Sequence, residues 1–180
     1  MSDDVLIRPI GADDWDSIVA MESRAYAELG LSEGRKVLRS RAEVSPETSF
    51  VLEAAGRAVG YLLALPYPAD RYPDLRRAEE TGFTSRNLHL HDIVVADAYR
   101  RRGMARQLLD HLVGTALSCG YEQLSLVAVG GSERFWSARG FTAHPEVVAS
   151  GSYSSTAVYM STPLPIASAP AGSSPRHEVR

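Results

Sequence analysis

A single cysteine, Cys119, is all that this chain of 180 residues carries, which excludes an intramolecular disulfide and a cysteine-ligated metal. Lysine is almost missing as well. Lys36 stands alone among 19 basic side chains, an arginine bias that reads as GC-rich codon usage and raises the expectation of a bacterial source. Positive charge is not in surplus: 22 Asp and Glu leave a net charge of -3. That balance speaks against a nucleic-acid partner, although a local basic patch could still hold a small anion. No stretch approaches the roughly 18 to 20 apolar residues needed to cross a bilayer. The first ten residues, acidic at Asp3 and Asp4, lack a signal-peptide core. The expectation is a cytoplasmic chain with no membrane partner and no metal.

What is present fits one domain, expected over residues 1–162, with 44% hydrophobic residues to close its core. A strand is expected at 5–10, and then a helix from Ala12 to near Gly30, with Trp15, Ile18, Val19, Met21 and Tyr26 on one face. A second helix is expected over 33–44, where Pro46 stops it. Strands at 50–54 and 59–65 flank Gly56-Arg57 as a hairpin. Pro66, Pro68 and Pro73 then open a long polar loop reaching Arg86, and loops of that length are usually functional or disordered. Further strands are expected at 87–95, 124–129 and 156–160, with helices from Met104 to about Leu117 and from Gly130 to Arg139. The strand-helix-strand unit 87–129 is right-handed by the general rule, which gives a mixed α/β sheet with helices on both faces. Residues 163–180, rich in Pro, Ser, Ala and Gly, read as a disordered tail.

The segment that carries chemistry runs from Val94 to Arg106. It passes from a strand end through a basic turn into a helix start, where first-turn N–H groups lack intrahelical partners and the dipole is positive. Gly103 and Ala105 remove bulk where an anion must approach the main chain, and Arg100, Arg101, Arg102 and Arg106 bring charge. A diphosphate fits. The Gly-Lys-Ser/Thr ending of a P-loop is absent, and so are the third glycine and the acidic partner of a dinucleotide fingerprint.

Arg100, Gly103 and Ala105 match in register the diphosphate motif of the GNAT superfamily of N-acetyltransferases: Arg or Gln, two residues, Gly, one residue, Gly or Ala. The strand Leu90-His91-Asp92-Ile93-Val94-Val95 resembles that family's fourth strand, and Phe135-Trp136-Ser137-Ala138-Arg139-Gly140-Phe141 its aromatic signature after the fifth. The resemblance covers about residues 5–160. It implies a largely antiparallel sheet with a V-shaped splay between strands four and five, and acetyl-CoA as cosubstrate in that V. In this picture the main chain of Ile93, Val94 and Val95 pairs with pantetheine, and the amides of Arg101, Arg102, Gly103, Met104, Ala105 and Arg106 hold the diphosphate. Ser132 and Phe135 flank the thiol end. The family transfers acetyl directly to an amine, and Cys119, at the far end of its helix, is consistent with the absence of an acyl-enzyme.

His91 stands where many members carry a glutamate, and an imidazole titrates close to neutrality, so it is the favoured base, with His89 second. Strict alternation would place His89, His91, Ile93 and Val95 on one face, and Leu90, Asp92 and Val94 on the other. Trp136 replaces the tyrosine that commonly protonates the thiolate, and an indole cannot do so. Tyr153, Tyr159, Ser137 or water would have to substitute, unless the thiolate leaves unassisted. The acceptor site is expected from Glu22–Tyr26 and the 67–86 loop. A small-molecule amine is the leading acceptor, with a peptide or protein amine, a longer acyl-CoA, and a non-catalytic acyl-CoA sensor as alternatives. Pairing into a homodimer is compatible with the sequence.

Overall fold

The computed structural model describes residues 4–148 and 151–167. Among the described residues, seven strands form one sheet in the order β1-β2-β3-β4-β5-β7-β6: β1 Val5–Pro9, β2 Phe50–Ala54, β3 Arg57–Pro66, β4 Asn87–Val95, β5 Gln123–Ala128, β6 Thr142–Val148 and β7 Val158–Pro163. Every neighbouring pair is antiparallel except β4 and β5, which run parallel, as the long strand-helix-strand connection between them permits. The helices are α1 Trp15–Tyr26, α2 Arg35–Glu43, α3 Met104–Ser118 and α4 Glu133–Ser137.

Two apolar layers hold the helices to the sheet. Trp15, Ile18 and Met21 of α1 and Leu38 of α2 pack on Val51, Tyr61, Leu63 and Val94. On the other face, Leu108, Leu112 and Ala116 of α3 and Trp136 of α4 meet Leu52, Leu62, Leu88, Leu90, Leu124 and Met160. Leu108 and Leu112 are wholly buried, each contributing roughly 1.5–3 kcal/mol by burial. The hairpin turn falls at Ala55 and Gly56, both at positive φ (51° and 73°), one residue earlier than the sequence suggests.

Two expectations need revision. Strand β6 escapes a reading by alternation because Pro145 and a register break between Ala143 and Val148 interrupt it, which an edge strand tolerates. The first residues of the expected tail are also part of the fold. β7 runs to Pro163, the Leu164 amide donates to Glu122 O (2.8 Å), and Leu164 and Ile166 pack against the α3-side core. The rest of that segment, 168–180, lies outside the described residues.

Candidate functional site

Strands β4 and β5 pair at only three positions, Asn87↔Gln123, Leu88↔Leu124 and His89↔Ser125, and then diverge. Beyond them β4 stays bonded to β3, and β5 to β7, so the facing edges open as a V. Its cleft measures about 490 Å³ and is lined by Leu90 to Val95 on one side and Leu126, Val127 and Val129 on the other. Arg100, Ala105, Ser132, Phe135 and Trp136 complete the wall toward α3 and α4.

Of the expected site residues, His91, Ile93, Val94, Val95, Arg100, Ala105, Ser132 and Phe135 border this cleft. Arg101, Arg102, Gly103, Met104 and Arg106 do not line it with their side chains. Met104 is buried in the core and can offer only its main chain. Arg106 borders a neighbouring hollow with Leu109, Arg139 and Ile166, and Arg102 lies over the Tyr99 ring (5.2 Å). The first backbone bond of α3 runs from Gln107 N to Gly103 O (3.0 Å), so the amides of 103–106 have no intrahelical acceptor. Arg101 and Gly103 both have positive φ (61° and 73°). A Cβ on Gly103 would meet nothing within 4 Å. What the chain itself asks of this position is a left-handed backbone, which glycine adopts without strain.

The register of β4 against β3 shifts between Leu63↔Asp92 and Ala64↔Leu90, leaving His91 in a bulge. Strict alternation fails there. Leu88, Leu90, Ile93 and Val95 face α3, while His91 and Asp92, consecutive in sequence, both turn toward the α1 and α2 side. Asp92 accepts from Tyr26 O–H (2.7 Å) and from Tyr61 O–H. Burial, against the pull of His91 and these two phenols, pushes the Asp92 carboxyl up to about 6. Burial and the nearby Asp92 raise both tyrosines well above their ordinary value, so they remain phenols.

Next to the V lies a smaller pocket of about 50 Å³, walled by Glu22, Tyr26, Glu33, His91, Asp92 and Tyr153 together with Leu31, Leu75, Val127 and Val129. Cleft and pocket share Tyr26, His91, Asp92, Val127 and Val129. Glu22 accepts from Ser32 Oγ (2.8 Å) and Glu33 N (2.7 Å), and burial raises its carboxyl. The pocket is roofed by Leu75 of the 67–86 loop and by Tyr153, and the Leu75 amide donates to Ser152 Oγ (2.9 Å).

His89 borders neither space. It is 1% exposed, its Nδ1 shares a hydrogen bond with Ser125 Oγ (3.0 Å), and burial lowers its pKa well below the ordinary value. Tyr159 is wholly buried with its hydroxyl accepting from Asp70 N (2.9 Å), and Ser137 is exposed outside both spaces. Trp136 stacks edge-on with Phe135 and Phe141. Sequence reasoning missed Glu33 and Arg41. Their signal is two opposite charges eight residues apart, one ahead of α2 and one within it, among mostly polar neighbours, which looks like any solvated face.

The sequence matches the family model described as Acetyltransferase (GNAT) family over residues 15–141. The chain belongs to that family. It is therefore an acyltransferase. Among solved structures, this GNAT protein is similar to Ard1 from Thermoplasma volcanium, with 19% identity, 88% of this chain and 97% of that one covered, and a TM-score of 0.69. It is also similar to the ribosomal-protein-S18-alanine N-acetyltransferase from Escherichia coli, with 20% identity, 95% and 99% coverage, and a TM-score of 0.63. A third is the N-acetylglutamate synthase from Neisseria gonorrhoeae complexed with coenzyme A and N-acetyl-glutamate, with 17% identity, 91% of this chain but 36% of that one, and a TM-score of 0.68. At these identities the likeness concerns the fold. No curated protein matches this GNAT sequence significantly. Among the described residues no helix is long and apolar enough to cross a membrane.

Proposed function

We propose that this GNAT protein is an acetyl-CoA-dependent N-acetyltransferase whose acceptor is the amine of a small molecule. One observation carries the reading: the β4–β5 cleft, with unpartnered helix amides at its α3 end, meets a carboxylate-lined pocket at His91 and Asp92. The residues present suit an acyl-CoA. The diverging edge of β4 at Ile93, Val94 and Val95 offers strand-like hydrogen bonds to an extended pantetheine. The amides of 103–106, with Arg100, Arg101, Arg102 and Arg106 around them, suit a diphosphate. Ser132 and Phe135 close the other wall.

Acetyl-CoA would supply its acyl group as a thioester open to attack by the amine. His91 removes the amine proton, directly or through water, and a backbone N–H in 93–95 supplies the fixed donor for charge on the carbonyl oxygen. Holding the amine against the β4 edge provides proximity, which in favourable cases lowers the barrier by roughly 7–11 kcal/mol. Tyr26 and Tyr153 are the hydroxyl-bearing walls of the acceptor pocket, and Trp136 packs without a proton to give. The Tyr26 O–H is already given to Asp92, so Y153F is the variant that tests whether a tyrosine returns a proton to sulfur. A pocket of about 50 Å³ beneath Leu75 and Tyr153 favours a compact amine over an extended peptide.

The test is CoA release in a free-thiol assay across amines and peptides, beside calorimetry of acetyl-CoA. Acetylation of at least one small amine, with acetyl-CoA binding weakened in Gly103→Glu, is expected. Tight acyl-CoA binding without release from any amine would make the protein a sensor, and faster turnover of peptides would move the acceptor to a polypeptide.

A further inference from the structure

His91 ends a line of buried charges that the proposed transfer leaves unused. Its Nε2 lies 2.7 Å from Glu33 Oε2, and Glu33 Oε1 accepts from Arg41 Nη2 at 2.8 Å. Arg41 is wholly buried, and it also holds Glu79 and the Asp74 carbonyl (2.7 Å). Glu33 is itself pinned at its main chain by Glu22, which takes its amide at 2.7 Å. The remaining ring atom, His91 Nδ1, is buried and has no hydrogen-bond partner among the described residues.

We propose that Glu33, gripped by Arg41, is a positioning residue that fixes His91 as the Nε2–H tautomer and leaves the Nδ1 lone pair as the proton acceptor. An ionised carboxylate can only accept, so the short contact at Nε2 requires that nitrogen to carry hydrogen. The Arg41 guanidinium, wholly buried and 2.8 Å from Oε1, is the fixed cation that keeps the Glu33 carboxyl ionised. With hydrogen on Nε2, the neutral ring carries its lone pair at Nδ1, the ring atom that no described group engages. The bulge at His91 and the two grips on Glu33 make this one geometry instead of a choice among rotamers.

The inference rests on the acetyltransferase reading for its effect on turnover, but the tautomer is readable without it. An acceptor entering as R–NH3+ gives one proton to Nδ1, and its freed lone pair forms the C–N bond as the C–S bond breaks. The surplus proton on that nitrogen ends on the departing sulfur, and Nδ1 returns its own to solvent.

Long-range 15N spectra of the imidazoles in the full chain, assigned with His91→Gln, test the tautomer at pH 7.5. An unprotonated Nδ1 and a protonated Nε2 are expected in the wild type. The pattern should be lost in Glu33→Ala, and also in Glu33→Gln, where Arg41 takes the single side-chain oxygen and the amide N–H2 is turned toward His91 Nε2. In kinetics, Glu33→Gln should lower kcat by roughly ten-fold or more, because the anion facing the imidazolium is gone, with KM for acetyl-CoA unchanged. A wild-type ring protonated at Nδ1, or a Glu33→Gln enzyme with wild-type kcat, overturns the proposal. Should Glu33→Ala not fold, the wild-type spectrum and the glutamine variant decide. A correct tautomer in a protein that acetylates no amine would refute the acetyltransferase reading and leave the positioning of His91 standing.

Discussion

At the α3 end of the cleft the charges stand in water: the side chains of Arg100 and Arg106 are 57% and 78% exposed, and their carboxylate partners are equally open. At the acceptor end, Arg41, His91 and Glu33 have side chains that are 0%, 1% and 4% exposed. Exposed ion pairs contribute little to stability, whereas removing one member of a buried set leaves the other uncompensated. The arginine turn can therefore be altered without unfolding the chain, and its role can be read in ligand affinity. The pocket cannot be altered so freely, since the groups proposed to act on the substrate also help hold α1, α2 and the 67–86 loop together.

The largest way to separate the two ends is to strike the base. His91→Ala is expected to lower kcat by about 10² to 10⁴ while leaving acetyl-CoA affinity within two-fold, as steady-state kinetics and calorimetry would show. A matching loss of affinity would mean that the ring holds the cosubstrate and is no base. Next comes Arg41→Met, which leaves Glu33 and Glu79 without their buried cation. Unfolding in urea should reveal a loss of about 3–5 kcal/mol, and a change below about 0.5 kcal/mol would show that the buried cation is dispensable.

The same contrast explains what a linear reading can and cannot find. The arginine turn and its strand and helix are contiguous from Val94 to Arg106, so local composition exposes the anion cradle. The pocket draws on Glu22, Tyr26, Glu33, Arg41, Asp92 and Tyr153, which meet only after the chain has closed. Glu33 and Arg41 sit among polar neighbours and look like solvated charge, because sequence carries no record of burial at a helix–loop junction. The β4 bulge leaves only a faint trace: Leu88 to His91 alternates, Asp92 then follows as a second polar residue in a row, and pairing with β3 is what shows that one residue is extra.

A pH titration sharpens the comparison from within the pocket. The Asp92 carboxyl titrates near 6 in the fold against an ordinary 3.8, so between those values the folded chain keeps a proton that the unfolded chain has released. Stability from this group therefore falls as pH rises from about 4 to about 6, and is flat above. Asp92→Asn has no such proton. Its unfolding free energy should lose that slope, even though one tyrosine loses an acceptor and the baseline drops. Parallel profiles for the wild type and the variant would show that the slope belongs to another group.

The smallest effect is expected at Arg101, where backbone and charge can be pulled apart. Its φ of 61° costs an L-residue roughly 1–2 kcal/mol, and glycine removes that cost while adding roughly 0.5–1 kcal/mol of unfolded-state entropy. Arg101→Gly should thus melt within a few degrees of the wild type. If the guanidinium assists a diphosphate, acetyl-CoA binding should weaken several-fold and the deficit should shrink at high salt, because screening already blunts an exposed charge. An affinity that is unchanged at low salt would assign the anion to the amides of the turn alone, and the arginines there would be a solvated run around a backbone site.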